Sequence, residues 1–96
     1  MKFEWDEKKN KSNKEKHDVD FDEAKTIFYD ENAILTTDPD HSEDEDRFVL
    51  IGMSIITRVI VVVHCIRNDI NENEVIRIIS ARKANDEERR TYERQL

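Results

Sequence analysis

Nine side chains carry most of the chemistry this chain can offer: Lys9, Lys16, His17, Arg58, His64, Arg67, Arg77, Arg82 and Arg89. A guanidinium grips phosphate oxygens through paired, directional donors, and a His or Lys beside it can move a proton. Such a set could bind an RNA backbone and stabilise the charge that builds up at a phosphate during cleavage. The richest stretch runs Val75-Ile76-Arg77-Ile78-Ile79-Ser80-Ala81-Arg82-Lys83 and hands over to Asp86-Glu87-Glu88-Arg89-Arg90. Arg67 and Arg82 lead the set, because they stand at strand ends, where a sheet presents side chains to a ligand. Each of the others has a plainer reading. Arg77 between two isoleucines can snorkel or pair with an acid at a sheet edge. His64 between Val63 and Cys65 fits a core histidine, and the lysines of the first helix fit a solvated face.

Several other chemistries drop out. The single glycine, Gly52, excludes most phosphate-cradling loops, and there is no serine nucleophile elbow and no paired-cysteine spacing. Asp38, Asp40, Ser42 and Asp44 imitate the start of a calcium loop, but Glu43 stands where glycine is needed and Val49 where a bidentate Glu belongs. That segment reads as a solvated acidic loop, and its His41 has no neighbouring His or Cys to share a metal. Cys65, alone in an apolar run, reads as an inert buried thiol of a reducing compartment. The run Val59 to Val63 is too short to span a bilayer, and Met1 opens onto charged residues, so the expectation is a cytoplasmic protein with no cofactor and no membrane partner.

The net charge of -7 is unevenly spread: residues 1–17 sum to +2, residues 18–46 to -11 and residues 47–96 to +2. The excess acid is confined to the middle third. Both flanks can therefore build a basic surface on an acidic protein.

Ninety-six residues suit one domain spanning 1–96, with a single small core and function on an exposed face. Asp6 caps a helix over Glu7 to Lys16 that sets Lys9, Asn13 and Lys16 or His17 on one face. Asp20 with Glu23 forms a capping box for a second helix, stapled by Val19 and Ala24, with Phe21, Ala24, Ile27 and Phe28 as its buried stripe. Strands follow at about 33–37, 47–53, 58–67 and 74–81, then a C-terminal helix over about 86–95 that offers Tyr92 and Leu96 to the core. The architecture is α+β: two N-terminal helices, an antiparallel sheet of about four strands and a covering helix. Regular alternation puts Arg58 and His64 on one face of their strand and Cys65 and Arg67 on the other. It also sets Arg77 and Arg82 on opposite faces unless a bulge intervenes.

Phe3-Glu4-Trp5-Asp6, Lys9, Asn13, Lys16-His17, Phe21 with Glu23-Ala24, Asp38 to Ser42, Arg47 to Ser54, Ile76 to Ala84, Glu88-Arg89 and Tyr92 together resemble the BrnT toxins of bacterial type II toxin-antitoxin systems. The resemblance implies a RelE-like fold, a ribonuclease that inhibits translation, and a BrnA-like antitoxin whose DNA-binding domain reaches the operator. It further implies metal-independent cleavage through the RNA 2'-hydroxyl. Lys9, His17, Arg67, Arg77 and Arg82 fall at positions matching the family pattern. Asp18 stands where the family commonly has glycine, a change that a left-handed turn accepts from Asp. On chemical grounds Arg67 and Arg82 hold the scissile phosphate, His64 or Lys9 transfers the proton, and Lys16, His17, Arg58, Arg77 and Arg89 contact RNA. The alternative is a non-catalytic module that binds an antitoxin and tunes operon repression.

Overall fold

The three apolar runs form the centre of the sheet. In the computed structural model, which describes residues 1–39 and 47–96, they are β3 (Arg47–Met53), β4 (Val59–Asn68) and β5 (Glu74–Lys83). Both hairpins close through residues with positive φ, Thr57 (61°) and Glu72 (64°). In the second, the Asp69 carboxylate accepts from the Asn71 and Asn73 amides at 2.8 and 3.0 Å. Those amides and Lys2 hold its pKa down to about 2. β2 (Ile34–Thr37) adds to β3, antiparallel.

A fifth strand corrects the expected count of about four and the expected antiparallel sheet. β1 (Lys2–Glu4) pairs parallel with β5, Phe3 opposite Ile76 and Glu4 opposite Arg77, and the order becomes β1-β5-β4-β3-β2. Three residues are too few to show a period in sequence. Only the free edge of β5 makes them a strand.

α1 (Glu7–His17) starts where Asp6 accepts from the Lys8 amide at 2.8 Å. It stops at Asp18, which takes the left-handed conformation (φ 57°, ψ 34°) expected of it. The helix has no apolar residue, and its buried positions are Asn10 and Asn13. Hydrogen bonds therefore seat it. The Asn13 amide donates to Val19 O (2.9 Å) and Ala81 O (2.8 Å) and accepts from Ala81 N (3.1 Å), acting as a neighbouring strand at the open edge of β5. Asn10 accepts from the Phe21 amide at 2.9 Å.

The second helix is shorter than its stripe suggests: α2 (Phe21–Ala24) tightens at once into a 3-10 turn over Lys25–Tyr29. Asp20 is the N-cap as expected, accepting from the Asp22 amide at 2.8 Å, but the expected capping box does not form, because Glu23 turns away to Arg58 and Ser54, the first a stronger charged partner. The full box occurs instead on α3 (Asp86–Glu93), between Asn85 and Glu88.

One face of the sheet carries α2 and the 3-10 turn over a core of Val19, Phe21, Ala24, Ile27, Leu50, Ile60, Val62, Ile78 and Ala81. Gly52 permits that contact, since a Cβ there would lie 3.0 Å from Ile27 Cβ and 3.2 Å from Ala33 Cβ. On the other face, Val59, Val61 and Ala84 pack with Tyr92 of α3. Tyr92 is buried as expected and donates its hydroxyl to Asp30, but Leu96 is 70% exposed and takes no part, because α3 ends at Glu93. Residues 40–46, the bulk of the expected acidic loop with its His41, lie outside the described residues. No helix among those described is long and apolar enough to cross a membrane.

Candidate functional site

A β-bulge decides which cations meet. From Ile60–Lys83 to Val63–Ser80 the pairing of β4 with β5 is regular; then His64 pairs with Ile78 and Ile79 is left over. One extra residue inverts the alternation. Arg82, opposite Val61, and Arg77, opposite Cys65, therefore share a face with Arg67 and Ser80. The expected separation of Arg77 from Arg82 holds only for a regular strand and is corrected by the bulge.

That open face holds four arginines, each with a carboxylate. Arg82 donates to both oxygens of Glu88 at 2.7 and 2.9 Å, and Arg47 donates to Asp38 at 3.0 Å. Glu4 on β1 takes Arg67, through a contact of 2.8 Å among others, and Arg77 at 3.7 Å. The hydrogen bond from Arg67 is the main reason the Glu4 carboxyl titrates below its usual range, and the bond from Arg82 does the same for Glu88. Between the Arg47–Asp38 and Arg82–Glu88 pairs lies a cavity of about 380 Å³ with a floor of Val49, Ile51, Val61 and Val63. Arg47 escaped the sequence reading. Its signal, an arginine opening a strand directly after an acid run, was visible there, but the cavity was not.

Around the edge of β5 is a second, smaller cleft of about 210 Å³, where Lys9, Lys16 and His17 of α1 face Ile79 and Ser80. Among the described residues, none that lines it is a carboxylate. Ser80 borders both hollows, so the α1 cations and Arg82 flank one ridge of β5.

Three expected site residues lie elsewhere. His64 is 1% exposed on the helix side, edge-on to Phe28 (centroids 4.8 Å apart) and beside Phe48, and its Nδ1 has no hydrogen-bond partner. Burial pushes its pKa down, and the sheet separates it from the arginines. A proton-transfer role for His64 is corrected by that placement: alternation sends it to the core with Ile60 and Val62. Arg58 is occupied by Glu23, at 2.7 Å, and by the Asp18 carbonyl, and braces the β3–β4 hairpin against α2. Burial alone would raise the Glu23 pKa, but the bonds from Arg58 and Ser54 outweigh it and the carboxyl titrates low. Arg89 pairs with Asp86 on the outer surface of α3. Among the described residues no group of three or more His, Cys, Asp or Glu side chains is placed to hold a metal ion.

Comparison with known proteins fits this geometry. The family model described as the ribonuclease toxin BrnT of type II toxin-antitoxin systems matches residues 5–88. The crystal structure of the Brucella abortus ribonuclease toxin BrnT is similar, at 25% sequence identity and a TM-score of 0.65, over 90% of this chain and 99% of that one. Among curated proteins no match is found. With a family match that runs from Trp5 at the base of α1 to Glu88 on α3, the chain belongs to the BrnT family of type II toxin-antitoxin ribonuclease toxins.

Proposed function

We propose that the whole chain acts as one RelE-like unit that cleaves RNA without a metal and so inhibits translation. In this reading the RNA 2'-hydroxyl attacks the adjacent phosphorus. The new 2'-O–P bond leaves a cyclic phosphate as the P–O5' bond breaks. The 2'-proton passes to a base, and an acid returns one to the departing 5'-oxygen. Arg82 stabilises the charge on the phosphorane, and Lys9 and His17, across Ser80 from it, are the proton-transfer pair. Lys16 holds the incoming backbone, and Arg67 and Arg77 hold a flanking phosphate once Glu4 yields. A BrnA-like antitoxin covers the open face, and its own domain carries the complex to operator DNA.

The observation that supports this reading best is that Ser80 borders both hollows, with the α1 cations Lys9, Lys16 and His17 on one side of it and Arg82 on the other. Purified chain and a defined RNA in excess EDTA provide the test, with products ending in 2',3'-cyclic phosphate expected. Arg82→Ala should slow cleavage at least ~30-fold, from roughly 2 kcal/mol of lost transition-state stabilisation. Cleavage that needs a divalent ion, or that persists on a 2'-deoxy substrate, overturns the mechanism.

One observation favours a second reading, a non-catalytic module that only binds its antitoxin: every arginine of the open face already has a carboxylate partner. Expression of the chain alone separates the two. Growth arrest with loss of intact mRNA favours the enzyme, and harmless expression favours the module.

A further inference from the structure

We infer that the cavity on the open face is a pocket for one unstacked RNA base, and that it sets which nucleotide flanks the cut; this rests on the ribonuclease reading above. The two hollows that meet at Ser80 differ in a way that suits the two halves of a nucleotide. The α1 cleft offers Lys9, Lys16 and His17 with no carboxylate lining it among the described residues, an environment for phosphate. Among the described residues the open-face cavity is charge-balanced, each rim arginine being matched by Asp38 or Glu88, and its floor is four β-branched side chains in two cross-strand pairs, Val49 with Val63 and Ile51 with Val61. A neutral, flat group with an apolar face and a polar edge fits there, and a phosphate does not.

Size and chemistry agree. At about 380 Å³ the cavity is at the small end of ligand pockets, which run roughly 300 to 1,000 Å³, and admits one base with its ribose. Proteins read single-stranded RNA by splaying a base out and bonding its edge. Here the rim supplies both kinds of partner, a guanidinium donor in Arg47 and carboxylate acceptors in Asp38 and Glu88, while Arg82, next to Ser80, is left to the phosphate at the ridge. Base N–H groups meet the acids, and ring nitrogens or carbonyls meet Arg47. The base and phosphate of one nucleotide are joined by a single ribose, and Ser80 is the ridge that the ribose crosses.

The experiment titrates the four ribonucleoside 5'-monophosphates, and ribose 5-phosphate as control, into the isotope-labelled full chain and follows amide shifts. The pocket predicts saturable shifts at Val49, Val61 and Val63 with the mononucleotides, at least fivefold spread in Kd among the four bases, and a silent floor with ribose 5-phosphate. Val63→Phe, which fills the open cavity, should weaken mononucleotide binding at least tenfold and leave ribose 5-phosphate binding within twofold; Val49→Met serves if the first variant does not fold. Equal floor shifts with and without a base, or a silent floor throughout, overturn the pocket. Sequenced cut sites keep the two ideas apart. RNA cut by both proteins with the same base preference overturns the pocket and leaves the ribonuclease reading standing. Base-selective binding by a chain that leaves RNA intact supports the pocket and sinks that reading.

Discussion

Replacing Asn13 by Ala should cost the fold far more than a polar residue on a helix surface ordinarily does. Three hydrogen bonds vanish, from the amide nitrogen to Val19 O and Ala81 O and from Ala81 N to the amide oxygen, at 2.9, 2.8 and 3.1 Å. Each contributes about 1 kcal/mol net, and Ala81, 1% exposed, is left with an amide and a carbonyl poorly placed to find water. Alanine returns roughly 0.6 kcal/mol of helix propensity. The expected loss is therefore about 2 to 3 kcal/mol, read as a lower urea midpoint with unchanged slope and a Tm lower by about 10 °C or more for a chain of this length. Asn13→Asp is the sharper control, since it aims a carboxylate oxygen at two carbonyls and should cost at least as much at neutral pH. A loss below about 0.5 kcal/mol in Asn13→Ala would show that α1 is not seated by this side chain, and the account of the helix would be wrong.

Three further outcomes are expected. His64 stays neutral in the fold because burial lowers its pKa, so the unfolded chain binds the extra proton. Stability is then full above the ordinary value of 6.5 and falls as pH drops below it toward the lower folded value, by at most about 1.4 kcal/mol per pH unit. His64→Phe should remove that component in denaturant titrations between pH 7 and 5, and an unchanged pH profile counts against it. Tyr92→Phe deletes the bond to Asp30 and should cost roughly 1.5 to 3 kcal/mol, as for a hydrogen bond to a charged group. In the parent, burial and Asp30 raise the Tyr92 pKa to about 12, so stability is full below the ordinary 10 and is lost as pH rises through 12; a variant with the parent's Tm and alkaline limb refutes the contact. Glu88→Gln removes the charge that pairs with Arg82 and should tighten binding of a short single-stranded RNA several-fold at low salt, measured by fluorescence anisotropy. Equal or weaker binding would mean that Arg82 does not face the RNA.

The parts of the fold that sequence made legible are those with local causes. Asp6 and Asp18 bound α1, apolar runs give β3 to β5, and Tyr92 is an aromatic that must be covered. What stayed hidden depends on distant partners. β1 is a strand only because β5 has a free edge, and Glu23 leaves its capping role only because Arg58 arrives from the next hairpin. The candidate site divides the same way. Residue types picked out Lys9, His17, Arg67 and Arg82, whereas the arrival of Arg77 on the face of Arg67 and Arg82 hung on one unpaired residue, and alternation alone sends His64 into the core.

That unpaired residue, Ile79, also governs which changes of length the chain can survive. Removing one residue from the tip between Asp69 and Asn73 shortens a solvated turn and leaves every pair beyond it where it was. Removing Ile79 itself yields a regular ladder in which every pair is kept, Ser80 on Val63, Ala81 on Val62 and Arg82 on Val61, so no side chain changes sides and Ala81 still meets the Asn13 amide. The bulge is slack in the strand, one residue that can be lost without moving the arginines or the core. Deletions should be borne at the hairpin tip and at Ile79, whereas a residue lost from β3, whose pairing with β4 is regular throughout, reverses the faces on one side of the gap.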